Sequence, residues 1–259
     1  MAGNRTEGGS RVKIEILADK KDLGAKAAAA GAAAIRAAIA RGGKASIILA
    51  TGASQFDVLD ALVRAEGIDW SRVTALHLDE YIAMPATHPA SFRKYLNERF
   101  VQRVPTLGRF VFIEGDVPDL AAELARVNAI ARSLAIDVCF AGIGENCHLA
   151  FNDPPADFTT EDPFIVVQLD EACRQQQFGE GWFPTLEAVP TRAISMSIRY
   201  MMKSAAVILS VPDARKAKAV QAAVEGPVSP HFPASIMQRH PDCRLYLDSA
   251  SAALLKPRG

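Results

Sequence analysis

The 259-residue chain has no excess charge of either sign, no paired cysteine spacing and no long uncharged hydrophobic run. Its 29 Lys and Arg balance 29 Asp and Glu, which removes the electrostatic case for a nucleic-acid or anionic-membrane partner. Cys139, Cys147, Cys173 and Cys243 show no C-x-x-C pairing. Neither a zinc cage nor a disulfide framework is therefore expected, and a reduced cytoplasm is the expected setting. The most apolar helical stretch, 23–40, is largely alanine and carries Lys26 and Arg36, so it reads as too weakly hydrophobic to span a bilayer. No secretory signal is visible, and residues 1–11 are expected to form a flexible polar tail. With no Pro/Gly/Ser-rich divider and no internal repeat, 12–259 reads as one domain large enough for a sizeable core.

What the chain does have is a rhythm. Short apolar or β-branched runs recur at 12–17, 45–50, 73–78, 110–113, 136–141, 164–169, 193–198, 206–211 and 244–247. Between most of them lie stretches with helical spacing, at 21–41, 54–66, 89–102, 117–134, 213–224 and 233–239. Strands alternating with helices predict an α/β fold: a doubly wound, Rossmann-like, mostly parallel sheet with helices on both faces. The region 170–191, with Gln175-Gln176-Gln177 and Trp182, reads as irregular. It is a candidate lid, with an ordinary surface excursion as the equal alternative.

Chemistry-bearing residues collect at strand ends, where open α/β sheets bind ligands. After the 136–141 run come Gly142-Ile143-Gly144-Glu145-Asn146-Cys147-His148 and then Asn152-Asp153. A histidine and an acid on a glycine-punctuated turn suit proton transfer. After the 45–50 run, Thr51-Gly52-Ala53-Ser54 open a helix; the same residues could cap the helix or cradle a phosphate. At 77–81, His77-Leu78-Asp79-Glu80-Tyr81 place two adjacent carboxylates in an apolar setting. One is expected to do chemistry, Asp79 being the better placed, or else to cap a turn. Arg174, Arg215, Lys216 and Lys218 form a basic set, of which Lys216 follows a strand end. A Cys147–His148 nucleophilic pair, or a metal held by His77, Asp79 and His148, has no diagnostic spacing behind it.

Taken together, Leu78-Asp79-Glu80-Tyr81 with His88-Pro89-Ala90-Ser91, Gly-x-Gly-x-x-x-His-x-Ala-Phe-Asn-Asp-Pro at 142–154, and Gln221-Ala222-Ala223-Val224-Glu225-Gly226 resemble the glucosamine-6-phosphate deaminase (isomerase) family. That family is related to the 6-phosphogluconolactonases, and the likeness runs from about 12 to 248. Lactonases usually carry Asp-Glu-Arg where Tyr81 stands and lack the Ala-Phe-Asn-acid-Pro run, so the deaminase branch is favoured. The resemblance implies conversion of an amino-sugar 6-phosphate to a ketose 6-phosphate plus ammonia. Asp79 matches the enolisation base, His148 the ring-opening acid/base, and Asp153 a supporting acid. Thr51, Gly52, Ala53 and Ser54 match the phosphate loop, with Arg174 and Lys216 as its cationic partners. No metal or organic cofactor is expected. The expected partner is a small-molecule sugar phosphate, and assembly into a homo-oligomer is left open.

Three departures from the family accompany these matches. Asn146 stands where many deaminases have aspartate, and is expected to accept a hydrogen bond from the His148 imidazole without stabilising its charged form. On that reading, Asn146→Asp should raise turnover. Cys147 replaces a common glycine, which would strain a turn needing positive φ. The segment 156–163 lacks the family's basic allosteric motif. Two other readings remain: a 6-phosphogluconolactonase-type hydrolase, and a non-catalytic sugar-phosphate sensor. The zero net charge and the absence of a helix-turn-helix before residue 12 weigh against the sensor.

Overall fold

A computed structural model describes residues 12–257; the tail expected at 1–11 lies outside the described residues. From the start, β1 (Lys13–Leu17) leads to α1 (Lys20–Gly42), β2 (Ala45–Leu49) and α2 (Phe56–Leu62). β3 (Val73–His77) runs almost directly into β4 (Asp79–Tyr81), then α3 (Phe92–Arg99), β5 (Arg109–Val111), α4 (Leu120–Arg132) and β6 (Val138–Ala141). The remainder is β7 (Phe164–Gln168), α5 (Glu171–Gly179), β8 (Arg192–Met196), α6 (Ile198–Met201), β9 (Ala206–Val211), α7 (Ala217–Glu225) and β10 (Cys243–Asp248). Short 3₁₀ turns precede α2 and α7, and Pro233–Arg239 is 3₁₀ rather than α-helical.

Seven strands form a parallel sheet in the order β1-β10-β9-β6-β2-β3-β5. Its central strands, Ala45–Leu49 and Ala206–Val211, are buried at every position, the continuous apolar signature of strands covered on both faces. Chain connections leave β2 toward β3 and leave β6 toward β9, in opposite directions. The crevice beyond the ends of β2 and β6 is thus a topological switch point.

The doubly wound expectation is met, with one difference. The runs at 164–169 and 193–198 do not enter the parallel sheet. They pair antiparallel with each other and with β4 in a second sheet of order β4-β8-β7. Leu78 is the joint between the two: its N–H donates to Leu49 O in one sheet and its carbonyl accepts from Met196 N in the other. Alternating hydrophobicity cannot report such a change of partner, because both sheets demand the same pattern. Part of 170–191 also departs from the irregular reading. Glu171–Gly179 is α-helical, with Asp170 capping it through the Cys173 N–H at 2.6 Å.

By length and composition, α1 would suffice to cross a membrane, its best window reaching a mean hydropathy of 1.3. The expectation that it is too weakly hydrophobic is corrected to that extent. In the fold it is a core helix, with Leu23, Ala27, Ala28, Ala32 and Ile35 buried. Burial of large aliphatic side chains such as Leu23 and Ile35 contributes about 1.5–3 kcal/mol each. Gly31 sets how near α1 lies to β6: a Cβ there would stand 2.1 Å from the Phe140 ring. A side chain would lift the helix off the strand.

Candidate active site

A cavity of about 330 Å³ opens at the switch point, a volume within the range of small-molecule sites. Its walls are the loop after β2, the joint at Asp79, the turn after β6, the C-terminal end of α5 and the loop after β9. Lys20 at the start of α1, Phe92 at the start of α3 and Asp248 at the end of β10 complete the lining.

His77, the first residue of the 77–81 segment, is wholly buried, and both its ring nitrogens are engaged. Nε2 accepts from the Ile113 N–H at 2.8 Å, which leaves Nδ1–H to donate to Asp79 O at 2.9 Å. Burial depresses its pKa to about 3, so it is a neutral structural brace and not a metal ligand. Glu80 is equally buried and equally occupied. Its carboxylate accepts from Tyr81 N, the Ser91 hydroxyl, Phe92 N and Arg93 N, and lies 3.5 Å from Arg93 Nε. It caps the start of α3, the bland role that one of the two acids was expected to fill. Asp79 points the other way, into the cavity. Burial, and then the neighbouring Glu80, push its carboxyl well above the ordinary aspartate range.

The turn after β6 presents His148. Gly144 underlies the imidazole, where a Cβ would stand 2.3–2.4 Å from three of its ring atoms. Cys147 has φ 72°, the left-handed conformation anticipated for a position that is commonly glycine. Its Sγ points away toward Ala219 O at 3.6 Å, and burial pushes the thiol up to about 11. A Cys147–His148 nucleophilic pair is excluded by that geometry.

Asp153 stands behind His148, its Oδ1 3.1 Å from Nδ1, close but without an aligned hydrogen bond. Asn146 Nδ2 and the Asp170 N–H also donate to Asp153, each at 3.0 Å. Burial raises the Asp153 carboxyl, but these partners together bring it below its ordinary value. Asn146 does not hold the imidazole as expected. Its Oδ1 accepts from the His148 backbone N–H at 3.1 Å, and its Nδ2 bridges Asp153 and Asp170. The turn is too tight for Asn146 to reach the ring of a residue two positions on.

Thr51, Gly52, Ala53, Ser54 and Lys216 line the same cavity. Gly52 has φ 92° and is fixed by the Tyr95 hydroxyl on its carbonyl at 2.9 Å. Lys216 is 8% exposed; burial lowers its pKa, opposed by the nearby Glu180 and Glu145 carboxylates. Arg174 does not join them. Its guanidinium donates to the carbonyls of Val189 and Leu186 at 3.2 and 2.8 Å, so it fastens the 180–191 loop and lies outside the cavity. Helical phase explains this: on α5 the residues turned inward are Gln176, Gln177 and, just past the helix end, Glu180.

Gln176 accepts from the Glu145 N–H and donates to Glu180, while Gln177 accepts from the Tyr81 hydroxyl at 2.8 Å. The candidate lid is thus a helix tied to both proton-handling segments. Sequence reasoning missed Glu180, because a lone acid in a polar loop reads as solvated surface. It passed over Arg215 for the same reason, although Arg215 also lines the cavity.

The family model for glucosamine-6-phosphate isomerases/6-phosphogluconolactonase matches residues 18–245. The chain belongs to this family. It is 37% identical over 210 residues to a glucosamine-6-phosphate deaminase of Exiguobacterium sibiricum, covering 81% of each protein. It is 32% identical to that of Oenococcus oeni, over 95% of this chain and 100% of the relative. Among solved structures, a monomeric glucosamine-6-phosphate deaminase superposes with a TM-score of 0.84 at 30% identity, covering 94% of this chain and 100% of the other. The 6-phosphogluconolactonase of Trypanosoma brucei reaches 0.75 at 18% identity over 96% and 100%, a likeness of fold alone. The family's mostly parallel, single-domain architecture is the one observed here.

Proposed function

We propose that the protein is an aldose–ketose isomerase of the deaminating kind, acting on an amino-sugar 6-phosphate. The observation that carries this is a pair of proton-transfer groups facing one cavity, buried Asp79 and Asp153-backed His148, with an anion-suited loop and a buried lysine in the same cavity.

His148 moves the proton between the anomeric and ring oxygens as the sugar opens. Asp79 takes the proton from C2 and returns it to C1. The enolamine thus becomes an imine at C2, which water hydrolyses to the ketose and ammonia. The 51–54 loop and Lys216 take the 6-phosphate, whose charge compensates a buried ammonium. Arg174 has no part in this reading. A raised pKa suits Asp79 to its task, since a base is most effective when its pKa approaches working pH.

The test is release of ammonia and ketose phosphate from a panel of 2-amino-2-deoxyhexose 6-phosphates, run beside hydrolysis of a 6-phosphogluconolactone. Ammonia release with negligible lactone hydrolysis is expected. Lactone hydrolysis alone would overturn the proposal.

A further inference from the structure

Behind His148, away from the cavity, three donor atoms of different kinds converge. His148 Nδ1, an Asp153 carboxylate oxygen and Cys173 Sγ all lie within 4.8 Å of one another. The side chains of His148 and Asp153 are 9% and 7% exposed and Cys173 is fully buried. Nδ1 is a buried polar atom with no aligned hydrogen bond among the described residues and lies 3.1 Å from Asp153 Oδ1, a separation at which its proton faces the carboxylate; a cation taking Nδ1 moves that proton to Nε2. The donors come from two elements, the turn after β6 and the first turn of α5, and Asp170 joins those elements from both sides.

We propose that His148, Asp153 and Cys173 form a binding site for a thiophilic divalent cation, zinc by ligand type, whose occupancy switches His148 off. The site holds an inhibitor, not a resident cofactor; its inhibitory consequence rests on the reading of His148 as the ring-opening acid/base. Nitrogen, carboxylate oxygen and thiolate sulfur are the donors zinc takes, with bonds of about 2.0–2.3 Å that set tetrahedral donors roughly 3.3–3.8 Å apart. Nδ1 and Oδ1 are already 3.1 Å apart and the sulfur lies within 4.8 Å of both, so closing on a cation draws the Cys173 side chain inward. Binding releases the Cys173 proton to solvent, so a dication meets one thiolate and one carboxylate and the buried centre is neutral. That neutrality answers the desolvation cost that isolated charges would carry there. Asn146 and the Asp170 amide, both already donating to Asp153, would hold the carboxylate in place. Water or the second Asp153 oxygen completes the coordination. An imidazole bound through Nδ1 keeps its proton on Nε2, so it can donate toward the cavity but cannot accept. Ring opening requires both.

The experiment uses chelator-treated full-length protein and Co²⁺ as the probe. One equivalent should produce a near-ultraviolet thiolate-to-cobalt absorption band, and Zn²⁺ should compete it away. In the deaminase assay Zn²⁺ should inhibit, with recovery on adding EDTA. Cys173→Ser should keep basal turnover, lose the band and weaken Zn²⁺ inhibition by more than about 100-fold. Cys173→Ala, with folding checked by circular dichroism, guards against a defect particular to serine. A band that persists in both variants would assign the metal to another cysteine and overturn the site. Its absence from the unmodified protein would do the same. The absorption band needs no turnover, so a protein that fails as a deaminase can still pass or fail this test.

Discussion

The segments 77–81 and 142–153 each bury a histidine among carboxylates at the edge of the parallel sheet, yet they use them in opposite ways. In the first, the histidine is saturated and one acid is left for the cavity. His77 has both nitrogens engaged, Glu80 accepts four hydrogen bonds, and of the segment's ionisable groups Asp79 is the one that lines the cavity. In the second, the acid is saturated and the histidine remains. Asp153 collects Asn146, Asp170 and the proximity of His148, while no described residue holds His148 Nε2 and the ring lines the cavity. Burial and residue type are alike in both segments. What separates a working group from a brace is unfilled hydrogen-bonding capacity directed at a cavity.

Asp79→Asn is the strongest test of that distinction. It should lower turnover by roughly 10²–10⁴-fold, the usual worth of a general base, with the fold kept. Linkage gives a second readout. The folded carboxyl is raised above its reference of 3.8, so stability falls as pH rises from the unfolded value toward the folded one, and the loss persists above it. Removing the group should leave the neutral-pH melting temperature equal or higher, and the acid limb of the wild-type rate profile should lie above the ordinary carboxylate range. Near-normal turnover would remove Asp79 from the role.

Glu80→Gln should do the reverse. Arg93 keeps its 2.7 Å pair with Asp116, but an acceptor of buried N–H groups becomes a donor, at a cost of about 3 kcal/mol, read by denaturant unfolding. Residual activity should track the fraction folded. A stable but inactive variant would show that Glu80 acts chemically after all.

Asn146→Asp sharpens the second segment. The side chain lies 3.0 Å from Asp153 and 3.3 Å from Asp170, so a carboxylate there would lose two donor contacts and face two like charges. A loss of about 1–3 kcal/mol of stability is expected, with turnover lowered. The sequence-based expectation was a gain, and a measured gain would mean the turn rearranges.

The smallest effect is expected at Glu180, whose carboxylate shares the cavity with the 51–54 loop and Lys216. Glu180→Gln should tighten binding of a sugar phosphate by roughly 0.5–1 kcal/mol, a two- to fivefold fall in KM. An unphosphorylated sugar should show no such gain, and an equal gain for both would detach Glu180 from the anion site.

Much of this arrangement was legible in the chain. Strand ends could be read because buried parallel strands are continuous apolar runs; Asp79 and the 51–54 loop follow such runs directly, and His148 and Lys216 lie in the turns that follow β6 and β9. Where reading failed, the deciding fact was orientation. Arg174 and Gln176 are two positions apart on α5, far enough for one to fasten a loop while the other lines the cavity. Asn146 has suitable chemistry for an imidazole partner, but the backbone of its turn directs it to Asp153 and to its own chain. The transfer of 164–168 and 192–196 to a second sheet left no trace in hydrophobic pattern.

The joint at Leu78 makes the choice of base a matter of phase. Side chains alternate along an extended chain, so Asp79 and Glu80 necessarily serve opposite sides. Leu78 sets which is which by anchoring one sheet with its N–H and the other with its carbonyl. Deleting one residue upstream within β3 would draw each following residue back one place, setting Glu80 where Asp79 stands and Tyr81 where Glu80 stands. The longer Glu80 side chain would intrude on the sugar, and Tyr81 has no carboxylate to offer the α3 amides that Glu80 now caps. One slip would disable the chemistry and uncap a helix together. This stretch can accept changes of side chain on its faces, but not a change of length.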